Sequence, residues 1–178
     1  MTPSELEWFI LFGIAVAGKN SRQTERKLNE FFHGEGCSYP FTVVHNMVRV
    51  KTLDKNLRRV KLGKYKLLAK GFAAAIKLDL ANLTVETLSK VPGIGPKTAR
   101  FILLYSGINT NVVPLDTHIL RWLREQGYNA PKATPTGRRY LELEECFRHE
   151  ARRRSMTIKE LDTIIWQMYS KSTKEAAE

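Results

Sequence analysis

The residues best suited to do chemistry are a lysine directly behind a Pro-Gly-Ile-Gly-Pro turn, Lys97, and an aspartate nineteen positions later, Asp116. An amine near a helix start meets the positive end of the helix dipole, which disfavours an ammonium, and burial disfavours it further. The free amine is a nucleophile able to attack an electrophilic carbon and form a Schiff base. A lysine gripping a phosphate is the alternative, with the same residue type in the same place. Nineteen positions hold one three-turn helix and one loop, so the two side chains can meet across a cleft. A carboxylate there can stabilise a developing positive charge and assist proton transfer. Asp116-Thr117-His118-Ile119 also reads as a helix cap, and a capping aspartate keeps one oxygen free, so both roles are compatible.

The elements around these residues follow from local signals. Leu88 to Ala99 reads as a short helix, a tight turn and a second helix, with the whole motif spanning about 84–106. Gly93 and Gly95 permit positive φ and a close backbone approach. The second helix opens at Pro96 and presents free N–H groups to a phosphate. This is the physics of a helix-hairpin-helix, which holds a nucleic-acid backbone without reading bases. An ordinary helix corner is the alternative reading. Elsewhere, apolar spacing predicts helices from Ser4 to Val16, with Ser4 as N-cap, and over Ser21–Phe32, Pro40–Val48, Leu53–Val60 and Tyr65–Ile76. Thr84 caps the next, without a full capping box because position 87 is Thr. Further helices are predicted from Asp116 to Glu125, from Pro135 to Arg154, and from a Thr157/Glu160 capping box to about Tyr169. Residues 41–50 are β-branched and the most ambiguous, but no stretch alternates strictly enough to require a strand. The chain therefore reads as all-α, one domain over residues 1–178, with residues 171–178 a frayed tail.

The 178 residues carry 29 Lys plus Arg against 18 Asp plus Glu, a net charge of +11. A polyanion, nucleic acid first, is the expected partner, with a solvated basic surface as the alternative. Two cysteines, Cys37 and Cys146, cannot build a disulfide framework or a four-thiolate metal site. The longest apolar run, Trp8 to Ala17, is too short for a bilayer and lacks a basic flank before it. A monomeric protein inside the cell, in cytoplasm or nucleoid and free of membrane, is the expectation.

VPGIGPKTA followed by VVPLDTHILRWL resembles the helix-hairpin-helix, Gly/Pro loop and aspartate signature of the endonuclease III superfamily of DNA glycosylases. The resemblance runs from about residue 5 to 169. It implies an all-α, two-lobed glycosylase fold with the hairpin beside the active-site cleft. A lysine at the position of Lys97 implies a bifunctional glycosylase/lyase, a hydrolase and lyase of base-excision repair. The four-cysteine iron–sulfur loop common in the superfamily is absent here, so no cluster is implied and no cofactor is required. A structural Na⁺ or K⁺ on the backbone carbonyls of Ser89, Val91 and Ile94 is implied by position. The ending Leu161-Asp162…Trp166 is similar to that of small, cluster-free 8-oxoguanine glycosylases found mainly in archaea. Those usually have Asp-Arg-His-Ile where Thr117 stands here.

The same resemblance implies how double-stranded DNA with a damaged base is held. Lys19, Lys61, Lys64, Gly93, Gly95 and Thr98 would lie along the backbone. Asn20 and Leu62 fall where relatives place side chains that fill the gap left by a flipped base. Asn20 reads equally as a helix cap, and Leu62 as a loop anchor. Trp166 and Tyr169 are the pocket candidates. Trp166 stacked on a base is one reading, and a core tryptophan is the stronger one from helical spacing. The expected substrate is 8-oxoguanine, then an oxidised pyrimidine. A non-catalytic helix-hairpin-helix DNA-binding protein and a base-modifying phage-type relative are the rival readings.

Overall fold

The structure, a computed structural model, describes residues 1–33 and 39–175. Among the described residues there are ten helices and no strand. They divide into two compact units, Met1–Ile102 and Leu103–Glu178, with the division inside one helix. Cys37 lies outside the described residues.

In the first unit, α1 (Pro3–Val16) is the central element, contacting α2 (Ser21–Phe32), α3 (Pro40–Arg49) and α5 (Tyr65–Ala75). Ile10, Leu11, Ile14 and Ala15 are all buried, as expected of a helix apolar on nearly every side. The N-cap is Thr2, not Ser4: the Thr2 hydroxyl accepts the Glu5 N–H and the Glu5 carboxylate accepts the Thr2 N–H. Pro3 at the first helical position makes the earlier start natural, because its missing N–H costs nothing there. Glu7 reaches across from α1 to accept the Phe41 N–H at 2.9 Å, capping α3. The ambiguous stretch is helix to Arg49, with Val50 as its C-cap and Phe41, Val43, Val44 and Met47 on its buried side. Burial against α1 and α5 overrides the mild β preference of its valines. α4 (Leu53–Arg59) completes this layer.

The hairpin pairs α6 (Val85–Ser89) with α7 (Pro96–Ser106). α6 does have a reciprocal cap. The Thr87 hydroxyl accepts the Thr84 N–H at 2.8 Å while Thr84 accepts the Thr87 N–H at 3.1 Å, so a hydroxyl stands in for the usual carboxylate. Gly71 in α5 lets the hairpin turn approach: a Cβ there would lie 2.4 Å from the Pro92 carbonyl oxygen. Gly13 does the same for α7, where a Cβ would lie 2.9 Å from Ile102 Cδ1.

The second unit contains the end of α7, then α8 (Thr117–Glu125), α9 (Gly137–Arg153) and α10 (Ile158–Glu175). α10 contacts both α8 and α9. Thr157 and Glu160 form the expected capping box at its start. Its helical backbone extends to Glu175, beyond the end expected near Tyr169. No described helix is long and apolar enough to cross a membrane.

Candidate active site and nucleic-acid interface

Lys97 sits in the first turn of α7, half-buried. Its ammonium lies 5.4 Å from the centroid of Phe101, one helical turn on. Such a contact orients the side chain and is worth about 0.5–2 kcal/mol. Phe101 is held in turn by Phe9 of α1, with ring centroids 5.2 Å apart. Thr98, beside Lys97, is also half-buried.

The turn before α7 departs from expectation at one glycine. Gly93 has φ of 94°, and a Cβ there would meet Ile14 at 3.1 Å, so both conformation and space call for glycine. Gly95 does not adopt positive φ, and a Cβ there would meet nothing within 4 Å. Its backbone is exposed at the helix start. The missing side chain leaves the amides of α7 open to an approaching group rather than relieving strain.

Asp116 is the N-cap of α8 in the second unit. Its Oδ1 accepts both the His118 and the Ile119 N–H, each at 2.9 Å, which leaves Oδ2 uncommitted. The loop leading to it is pinned from α9, which the sequence did not reveal. The Tyr140 hydroxyl donates to the Val113 carbonyl at 2.8 Å and accepts the Leu115 N–H at 2.9 Å. The buried Glu144 accepts the Val113 N–H at 2.8 Å, and Arg148 donates to the Asn111 carbonyl at 2.8 Å. Thr134 donates to the Leu115 carbonyl at 2.9 Å. Tyr140, Glu144 and Arg148 recur every four residues on one face of α9. That spacing was available in the sequence, but nothing there indicated which loop the face would meet.

Two candidate pocket residues separate. Trp166 is 52% exposed, so the core reading fails. Tyr169 is buried. It stacks parallel to His118 at 5.9 Å, lies under the Arg121 guanidinium at 4.6 Å, and donates to Glu125. Burial and the Glu125 carboxylate push its hydroxyl up to about 12, so it remains a donor at neutral pH. Tyr169 therefore fastens α10 to α8, and its ring is not available to a base. One turn before Trp166, the buried Asp162 accepts from the Tyr105 hydroxyl at 2.8 Å.

The two turns nominated for DNA lie side by side in the first unit. Lys19 donates to the Leu62 carbonyl, Lys64 donates to the Ala17 carbonyl at 2.9 Å, and Lys27 donates to the Lys61 carbonyl at 2.8 Å. Leu62 is only 3% exposed, so it is an anchor and not a wedge: a side chain that fills a base gap must project. Asn20 caps α2, its side-chain oxygen accepting the Gln23 N–H at 3.0 Å. Lys61, Gly63 and Lys64 all have positive φ, so this turn is tightly wound around the buried leucine.

Among the described residues, no group of three or more His, Cys, Asp or Glu could hold a metal ion. In the hairpin, the Val91 carbonyl accepts the Ile94 N–H at 3.0 Å and retains a second lone pair.

Residues 21–156 match the family model for 8-oxoguanine DNA glycosylase. The fold is similar to that of the Methanocaldococcus jannaschii 8-oxoguanine glycosylase/lyase, solved in complex with a 15mer DNA containing 8-oxoguanine. There the TM-score is 0.71 at 22% identity, over 96% of this chain and 83% of that one. It is also similar to the 8-oxoguanine DNA glycosylase of Thermotoga maritima, with a TM-score of 0.71 at 24% identity over 94% and 81% of the two chains. With the lysine and the aspartate of the motif both inside the matched span, the chain belongs to the 8-oxoguanine DNA glycosylase family.

Proposed function

We propose that this chain, residues 1–178 acting as one glycosylase domain, removes 8-oxoguanine from duplex DNA and then cuts the strand through a Schiff base on Lys97. The reading rests on one observation: the 8-oxoguanine glycosylase match over residues 21–156 spans both a lysine in the first turn of the hairpin's second helix and a capping aspartate with a free oxygen. The Lys97 amine attacks C1′. The C1′–N bond to the base breaks, and its electron pair leaves with the base, which takes up a proton. The ring then opens to an iminium on Lys97. Loss of a C2′ proton expels the 3′ phosphate, and water finally releases the amine. Asp116, held by Oδ1, offers Oδ2 to the positive charge developing on the sugar and to the protons moving at the amine. The amine supplies the nucleophile itself, so the chemistry needs no cofactor. A monovalent cation on the carbonyls of Ser89, Val91 and Ile94 would brace the hairpin, and neutral carbonyl oxygens suit such an ion. Lys19, Lys61, Lys64, Thr98 and the amides beside Gly93 and Gly95 are the proposed backbone contacts.

Borohydride trapping tests the reading. The parent protein should become covalently attached to duplexes carrying 8-oxoguanine, and more slowly or not at all to thymine glycol or uracil duplexes. Lys97→Gln should lose trapping and nicking while still binding the lesion, because Gln keeps length and polarity without an amine. Asp116→Asn should slow single-turnover base release by about 10²–10³-fold, the scale for removing one charge-stabilising group. Failure of the parent to trap on any lesion ends the lyase reading. Preferred trapping on thymine glycol moves the substrate to oxidised pyrimidines.

A further inference from the structure

Three lysines converge on the paired turns of the first unit without a carboxylate among them. Lys19 reaches from the first turn to the Leu62 carbonyl of the second, and Lys64 reaches back to the Ala17 carbonyl of the first. Lys27, from α2, reaches the Lys61 carbonyl next to Leu62. A Cβ on Gly18 would lie 3.7 Å from the Lys64 ammonium, which places that ammonium against the first turn. Among the described residues, none of the three lysines has an acidic partner within ion-pair distance. Acidic partners are common elsewhere in the protein: Asp54 pairs with Arg58, and four glutamates of α9 pair with arginines. Three like charges held together by carbonyl dipoles alone repel one another. Partial burial foremost, then the charges of Lys64 and Lys27, push the Lys19 ammonium below the usual lysine range. Each ammonium has three N–H groups and spends one on its carbonyl, so donors remain for an incoming anion.

We propose that Lys19, Lys27 and Lys64 form one phosphate-binding site, closed across the two turns and built to take a single phosphodiester of the DNA backbone. Lys27 stands outside the residues that the family resemblance implies for the backbone. The carbonyl bonds hold the three ammoniums in position before the anion arrives, so little side-chain entropy is lost on binding. The phosphate relieves their mutual repulsion, and that relief favours occupancy over a lysine-by-lysine surface contact. The site extends the DNA-binding part of the proposed function and is independent of Lys97.

The test is the salt dependence of binding to a short undamaged duplex, read as the slope of log K against log salt concentration. Each phosphate neutralised on B-DNA contributes about 0.9 to that slope. The double variant Lys19→Gln/Lys64→Gln should lower the slope by about 0.9, because both ammoniums serve one phosphate. Lys27→Gln, which removes the third ammonium of the site, should weaken binding at low salt and not weaken the double variant further. Lys77→Gln, an exposed lysine outside the cluster, serves as the control. A loss of about 1.8 in the double variant would mean two separate contacts and overturn the single site. An unchanged slope with a lowered unfolding temperature would make the lysines a structural clasp only. If the double variant fails to fold, Lys27→Gln decides alone: binding equal to the control overturns the proposal. Trapping with unchanged slopes sinks this site and spares the glycosylase reading. Lowered slopes without trapping do the reverse.

Discussion

Trp166 shows how one side chain can carry two opposite expectations. On a helix that buries Leu161 and Ile165, helical spacing favoured a core tryptophan, yet it is half open to solvent. An exposed indole adds little to folding, so Trp166→Ala should leave stability within about 0.5 kcal/mol of the parent. If it stacks on the extruded base, the same change should cost about 1–3 kcal/mol of affinity for an 8-oxoguanine duplex. Affinity for an abasic duplex should be nearly unchanged, since no base remains to stack on. Equal losses on both duplexes would remove Trp166 from the pocket. Tyr169, three residues on, could not be told apart from Trp166 by residue type. Only its contacts with His118, Arg121 and Glu125 identify it as a fastener.

At the scale of elements, the hairpin depends on a glycine far from it in sequence. Gly71 lies inside α5, where glycine is unfavourable by about 1 kcal/mol relative to alanine. The cost is offset because the Pro92 carbonyl needs the space. Gly71→Ala should therefore destabilise the protein by about 1–3 kcal/mol despite its better helix propensity, measured by denaturant unfolding. It should also weaken DNA binding by displacing the turn that carries Gly93. A stabilised variant with unaltered binding would show that α5 and the turn can move apart freely. A glycine within a helical pattern is itself a signal of close approach, and here that signal was present but had no partner to point to.

For the molecule as a whole, the excess of positive charge leaves a few buried carboxylates to hold many arginines. Glu150 is the clearest case. It accepts from Arg153 at 2.9 Å, from Arg154 and from the Tyr128 hydroxyl at 2.9 Å, with its side chain 6% exposed. Arg153 foremost, with Arg154 and Tyr128, holds its carboxyl down to about 2 from an ordinary 4.5. A depressed folded-state value means that the stabilisation is full above pH 4.5 and is lost as pH falls toward 2. Unfolding free energy measured across that window should fall, with Glu150 contributing on the order of 1–3 kcal/mol. Glu150→Gln should flatten that part of the profile and lower stability at neutral pH. An identical acid profile in the variant would assign the acid sensitivity to other carboxylates.

Local chemistry determined much of this protein in advance. Apolar spacing, Pro at helix starts and cap residues act over a few residues, so the all-helical class, the hairpin and the cap at Asp116 were legible from the chain. The Lys97 and Asp116 positions were legible for the same reason, being tied to a turn and a helix start. What no local signal carries is which surfaces meet. The Tyr140–Glu144 face was visible as a stripe but not as the clamp on the loop before Asp116. Leu62 was visible as an apolar residue in a basic turn, and burial made it an anchor. Lys27 lay one helix away from the turns it serves. These outcomes depend on long-range packing, where a side chain's role is set by what the fold brings within a few ångströms of it, and that distance is decided only when the helices close on one another.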